Sequence, residues 1–208
     1  MNSRLRIGID FDNTIVSYDD VFRNAAGNFA EIAPGVGRQK RDIRDYLRTL
    51  PDGELTWQRL QGHVYGKGIS AAKMFAGFDQ FLRRCRAEHA EIVIVSHKTE
   101  FGHHDPDRVN LRDAARGWMT AQGFFAEDGY GIPPANLFFE TTRAEKLSRI
   151  ASLDCGCFID DLEEVLEDPD FPPDVTRILF SQAPTPDHEP PYAVCRNWGE
   201  VERLVFRD

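Results

Sequence analysis

Five short runs of the chain, at 5–11, 91–96, 137–140, 156–160 and 176–180, are apolar almost throughout instead of alternating apolar with polar. A strand that is apolar on both sides has to be covered on both faces, the situation in a parallel sheet layered between helices. The run 91–96 is the densest in β-branched residues, which fit a pleated, buried surface best. Helical patterns fill the intervals: 78–88 carries Phe81, Leu82 and Cys85 at helical spacing, and 107–122 opens on acidic residues and is followed by Gly123. Further patterns lie at 141–153 and 162–167. Strand and helix alternate, so the chain reads as α/β: a parallel sheet flanked by helices.

One segment breaks that rhythm. Between residues 17 and 73 no convincing strand occurs, only short helical patterns at 39–50 and 55–64. Pro34-Gly35, Pro51-Asp52-Gly53 and Gly66-Lys67-Gly68 punctuate them. The expected organisation is therefore a core of 1–16 and 74–208, with 17–73 inserted after the first strand as a small helical cap. Near the other end, prolines 184, 186, 190 and 191 mark 182–191 as an irregular loop ahead of a short helix over 198–205.

The formal net charge of -9 over 208 residues disfavours nucleic acid as a partner, because a duplex-binding surface needs a basic excess. No stretch approaches the roughly 18 apolar residues of a membrane span. The first residues do not read as a signal peptide. The four cysteines, Cys85, Cys155, Cys157 and Cys195, follow no zinc-finger spacing. The 155/157 pair admits a metal or redox reading, against buried thiols leading into an apolar strand. A reducing cytoplasm is the expected setting.

In open α/β sheets the chemistry sits beyond the carboxyl ends of the strands. Those ends carry Asp10 and Asp12, then Ser96-His97-Lys98, then Asp160-Asp161, and the helix after the third run carries Arg143 and Lys146. Aspartates at strand ends also cap helices and form Asx turns. Four carboxylates in one crevice, however, would repel one another without a cation. An all-oxygen donor set without His or Cys favours Mg²⁺ over zinc. In such a set one carboxylate can attack phosphorus while a second works as general acid and base.

With these residues in place, the pattern resembles the haloacid dehalogenase-like hydrolase superfamily. Asp10-Phe11-Asp12-Asn13-Thr14 matches its first motif, the strand ending in Ser96 its second, Lys146 its third (Arg143 being the less favoured substitute), and Phe158-Ile159-Asp160-Asp161 its fourth. The resemblance implies a Rossmann-like core whose sheet has strand order 5-4-1-2-3. It implies Asp10 as nucleophile and magnesium ligand, and Asp12 as acid/base that also lends its backbone carbonyl to the metal. Asp161 is then the more direct ligand of the acidic pair and Asp160 its companion, while Ser96 and Lys146 bind and neutralise the phosphoryl group. Within the superfamily an acid at the position of Asp12 points to phosphatases and phosphomutases. Ser96 lies 86 positions after Asp10, whereas Asp160 lies only 14 after Lys146, which leaves room for a cap at the first interval alone.

Asn13, Thr14, His97 and Lys98, with Lys67 from the cap, are the expected substrate contacts, although Lys67 also reads as an exposed turn lysine. The polar loop containing His103, His104, Asp105 and Asp107 is either a second metal site with His97 or a solvated loop touching substrate. Trp57, Tyr65 and Phe75 line a pocket or form core, and the basic pattern 38–50 is a solvated face. The expected activity is Mg²⁺-dependent hydrolysis of a small phosphorylated metabolite (a sugar phosphate, nucleotide or amino-alcohol phosphate) through an aspartyl-phosphate. A phosphomutase or phosphotransferase is the alternative, and a non-catalytic binding module the third. Oligomeric state is left open.

Overall fold

The computed structural model describes residues 5–182 and 190–207, so most of the expected loop 182–191 lies outside the described residues. In chain order the elements are β1 (Arg6–Ile9), β2 (Val16–Ser17), α1 (Asp19–Ala26), α2 (Lys40–Leu47), α3 (Gly53–Tyr65), β3 (Lys73–Met74), α4 (Phe78–Ala87) and β4 (Glu91–His97). There follow α5 (Leu111–Ala121), β5 (Leu137–Glu140), α6 (Arg143–Ser152), β6 (Cys157–Asp160), α7 (Glu163–Leu166), β7 (Thr176–Phe180), β8 (Ala193–Cys195) and α8 (Trp198–Phe206).

The chain divides into two units, Met1–Val16 with Met74–Lys98 and Gly123–Asp208, and Ser17–Lys73 with Thr99–Gln122. The first contains a six-stranded sheet of order β5-β4-β1-β6-β7-β8 whose neighbouring strands all pair in parallel. Counted along the sheet strands alone this is 6-5-4-1-2-3, the expected five-strand order with one strand added at the edge. The addition, β8, carries only Ala193–Cys195 and has too short a pattern to show in sequence. Pairing with β7 and the Ser181 N–H donated to the Cys195 carbonyl at 3.0 Å define it.

Both faces of this sheet are covered, as the apolar runs require. Residues alternate sides along a strand, and Val93 and Val95 of β4 join Phe158, Leu179, Leu147, Ile150, Val165 and Leu166 in one buried cluster with α6 and α7. α4 and α8 pack separately, with Phe78 and Phe81 at 4.5 and 4.9 Å from the Trp198 ring. The Trp198 indole N–H also donates to the Thr14 carbonyl at 3.2 Å, fixing the turn after β1. Phe75, half-buried, packs edge-on to Phe180 at 5.0 Å.

Gly8, in the middle of β1, is needed for close packing. A Cβ there would lie 2.4 Å from Cδ2 of Phe158 and 3.1 Å from Sγ of Cys155. Gly8→Ala is expected to cost about 1–3 kcal/mol by overpacking, read as a lower urea midpoint. An unchanged midpoint would show that the Phe158 ring yields freely.

The second unit is larger than the inserted segment expected from sequence, because 99–122 belongs to it and not to the sheet unit. Its aromatic residues form a core: Phe22 stacks on Trp57 at 5.1 Å, and Tyr18 meets Tyr65 edge-on at 4.8 Å. The Trp118 indole of α5 donates to the Ala72 carbonyl at 3.0 Å. The loop before α5 lies so close to α3 that a Cβ on Gly102 would stand 2.7 Å from Gly62 Cα, and one on Gly62 would stand 2.8 Å from Asp105 Cβ. Asp105 is buried and accepts the backbone N–H groups of Asp107 and Val109 at 3.1 and 3.2 Å. Asp107 pairs with Lys67 at 2.7 Å. These carboxylates therefore order the loop, whereas His103 and His104 are exposed. On α2, Arg44 and Arg48 pair with Asp45 and Glu54 on the surface.

Candidate active site

The register Ile9↔Ile94 between β1 and β4, and Ile9↔Ile159 between β1 and β6, sets three carboxyl ends side by side. Asp10 continues the β1–β6 ladder by donating its N–H to the Ile159 carbonyl at 2.8 Å. Asp12 follows, and Asn13 turns the chain with φ 61, a left-handed conformation that asparagine tolerates. Its N–H reaches the Val16 carbonyl at 2.9 Å, closing the turn.

Lys146 decides the arrangement. It lies at the fourth position of α6, whose first turn is closed by a box between Thr142 and Glu145. Its side chain is 1% exposed, and Nζ meets Asp10 Oδ1 at 2.7 Å and Asp160 Oδ2 at 2.6 Å. Arg143, one turn earlier, is half-exposed and pairs with Asp168 at 3.2 Å. Lys146 is thus the inward basic residue of α6 and Arg143 the outward one.

Asp10, Asp160 and Asp161 each offer an oxygen within 4.8 Å of the others, the one group among the described residues that could hold a metal ion. Asp160 is already engaged on both oxygens, by Lys146 and by the Leu162 N–H at 3.0 Å. The carboxylate of Asp12 turns instead to Lys98, whose Nζ lies 2.7 and 3.1 Å from its two oxygens. Lys98 is 4% exposed. Lys98, expected from sequence as a substrate contact, stands in an ion pair inside the site, a partner that its position just past Ser96 does not reveal.

Burial pushes the Asp10 carboxyl up to about 7, against the pull of Lys146 and with repulsion from Asp160 and Asp12. Burial alone would lower Lys146, yet Asp10 and Asp160 outweigh it and hold the ammonium above its usual range. Asp10, Asp12, Asp160 and Asp161 outnumber the two buried ammonium groups of Lys98 and Lys146, an excess of carboxylates that a bound cation would offset. The donor set fits a hard cation such as Mg²⁺.

Ser96 is 1% exposed, and among the described residues its Oγ is the one buried side-chain oxygen or nitrogen with no hydrogen-bond partner. A buried hydroxyl left so costs about 1–3 kcal/mol, which a ligand oxygen recovers. Thr14 is fully buried and its Oγ1 lies 3.4 Å from Asp10 Oδ2, so it orients Asp10. His97 is exposed, and its Nε2 hydrogen-bonds the Thr141 carbonyl at 2.9 Å. Lys67 belongs to the other unit. All four cysteines are buried and free, and burial pushes the thiols of Cys155 and Cys157 up to about 11 and about 12, away from reactivity.

No protein-family model and no curated protein matches the chain. Solved structures do. A haloacid dehalogenase-like family hydrolase from Streptococcus pneumoniae superposes with TM-score 0.63 at 13% identity, over 100% of both chains. A predicted phosphatase from Clostridium acetobutylicum gives 0.59 at 12% over 99% of each chain. A predicted phosphoglycolate phosphatase from Haemophilus somnus gives 0.56 at 13%, covering 98% of this chain and 99% of that one. At such identities the likeness establishes the fold, which is haloacid dehalogenase-like.

Proposed function

We propose that the protein is a magnesium-dependent phosphatase that hydrolyses a small phosphomonoester through an aspartyl-phosphate at Asp10. The observation that carries this reading is the convergence of Asp10, Asp160 and Asp161, with the buried ammonium of Lys146 set against the first two. A carboxylate nucleophile approaching a phosphate meets repulsion from its own kind of charge. Lys146 lowers that repulsion and fixes the plane of Asp10, which orients an oxygen for in-line attack.

A carboxylate oxygen of Asp10 forms the bond to phosphorus while the bond to the leaving oxygen breaks. That oxygen takes a proton from Asp12. Asp12, now a carboxylate, removes a proton from water, whose oxygen attacks the aspartyl-phosphate and frees Asp10 and inorganic phosphate. Mg²⁺ held by Asp10, Asp161, Asp160 and the Asp12 carbonyl would screen charge on the transferring group. The unpartnered Ser96 hydroxyl donates to a phosphoryl oxygen. The same proposal gives the helical unit the role of a cap selecting small substrates, and a cytoplasmic setting. No described helix is long and apolar enough to cross a membrane.

The test is phosphate release over a panel of sugar phosphates, nucleotides and amino-alcohol phosphates, with Mg²⁺ and with EDTA. Turnover of at least one compound that EDTA abolishes is expected. No release from any compound, or release indifferent to EDTA, refutes the reading. Transfer to an added acceptor without release to water would replace it with a phosphotransferase.

A further inference from the structure

Lys98 is an unusual lysine. An ammonium taken almost wholly out of water is tolerated only with a partner, and the partner here is the residue that the proposed chemistry needs most freely aimed. Lys98 Nζ spans both oxygens of Asp12, at 2.7 and 3.1 Å, with side-chain exposures of 3% and 20% for the two residues. Its backbone N–H is tied to the Glu140 carbonyl at 2.9 Å, and its Nζ sits 5.7 Å over the Phe11 ring. Lys98 is thus anchored at its backbone as well as at its ammonium, and it meets the Asp12 carboxylate from a defined side, just beyond β1.

We infer that Lys98 is a positioning residue, which holds the Asp12 carboxyl aimed at the leaving-group oxygen; this rests on the phosphatase reading above. When Asp12 carries its proton, one oxygen stays with the ammonium and the other delivers the proton as the P–O bond breaks. The opposed expectation is that Lys98 binds the substrate's phosphate. The two assignments separate by leaving group. A phosphate contact matters equally for every phosphomonoester. Aim of a proton donor matters only when the departing oxygen needs a proton, as an alkoxide does and a nitrophenolate does not.

The experiment compares kcat/KM for an alkyl phosphomonoester from the panel with kcat/KM for p-nitrophenyl phosphate, in wild type, Lys98→Met and Lys98→Arg. This ratio reports the steps up to departure of the leaving group. Lys98→Met is expected to lose roughly 100-fold on the alkyl ester, the scale of a misplaced catalytic group, and far less on the aryl ester. Lys98→Arg keeps the charge but changes the shape of the donor, and a smaller loss of the same selective kind is expected. Because the arginine variant retains the buried ion pair, it answers the question even where methionine prevents folding. In an Asp12→Asn background, Lys98→Met should add no further selective loss.

Equal losses on both esters, or a selective loss that persists in the Asp12→Asn background, would overturn the inference and leave the phosphatase reading standing. No turnover of either ester by wild type would overturn both.

Discussion

Asp10→Asn is expected to lower kcat by roughly 10⁴-fold or more, because it removes the proposed nucleophile rather than a supporting contact, while leaving the metal-free protein at least as stable as wild type. The two halves of this outcome have one cause. Asp10 is 5% exposed, and its carboxyl is driven up to about 7 by burial first of all. In the unfolded chain an aspartate titrates near 4, so between about pH 4 and about 7 the folded state binds more protons than the unfolded state. Stability from this group is present below about pH 4 and is lost as pH rises through about 7. Asparagine has the same shape and no charge to bury, so the gap between variant and wild type in EDTA should widen over that window and then level off. Phosphate release and thermal melts at pH 4.5, 6 and 7.5 check both parts. Activity within tenfold of wild type would displace Asp10 as nucleophile.

Lys146→Met is the second large effect, and its sign on stability is opposite. Lys146 is the cation between two buried carboxylates, at 2.7 and 2.6 Å. Removing one partner of a buried ion pair costs about 3–5 kcal/mol, mostly the charge left behind. For a chain of this size each kcal/mol shifts Tm by about 2–4 °C, so a fall of roughly 6–20 °C in EDTA is expected. Mg²⁺ should recover part of that fall, more than it adds to wild type, since a cation then serves the orphaned carboxylates. Turnover should drop steeply even with Mg²⁺ in excess. A methionine variant that melts with wild type in EDTA would show that Asp10 and Asp160 do not depend on the ammonium.

The sheet was legible because its strands are buried on both faces, and burial on both faces writes itself as a continuous apolar run. β1 and β4 are the clearest cases. Asp10, Ser96 and Asp160 each stand where such a run stops, with Asp12 and Asp161 just beyond, and the topology sends those stops to one edge. Lys146 against Arg143 was not decided by sequence. The two lie three apart on α6, and which faces inward depends on the rotation of the helix about its axis. β8 escaped because three residues carry no period of their own. The pairing of Lys98 with Asp12 had no signature in the sequence, since the two lie 86 positions apart. The membership of 99–122 in the helical unit is a matter of Gly62, Gly102 and Asp105 meeting across about 40 positions of chain, a kind of contact that no local pattern announces.

That last contact also orders events in time. The helical unit is made of two stretches synthesised apart, and the strand and helix of 74–98 come between them. At roughly 5–20 residues per second, the ribosome needs about 2–10 s to travel from Lys73 to Gln122. During that interval the face of α3 around Gly62 has no loop to close on, and the Ala72 carbonyl has no indole to receive. The nascent helices must wait for a piece of chain delivered after β4 is already made. A gene cut at residue 73 would on this account yield a fragment missing its own closing piece, and the smallest portion of the message able to encode a finished helical unit runs through codon 122.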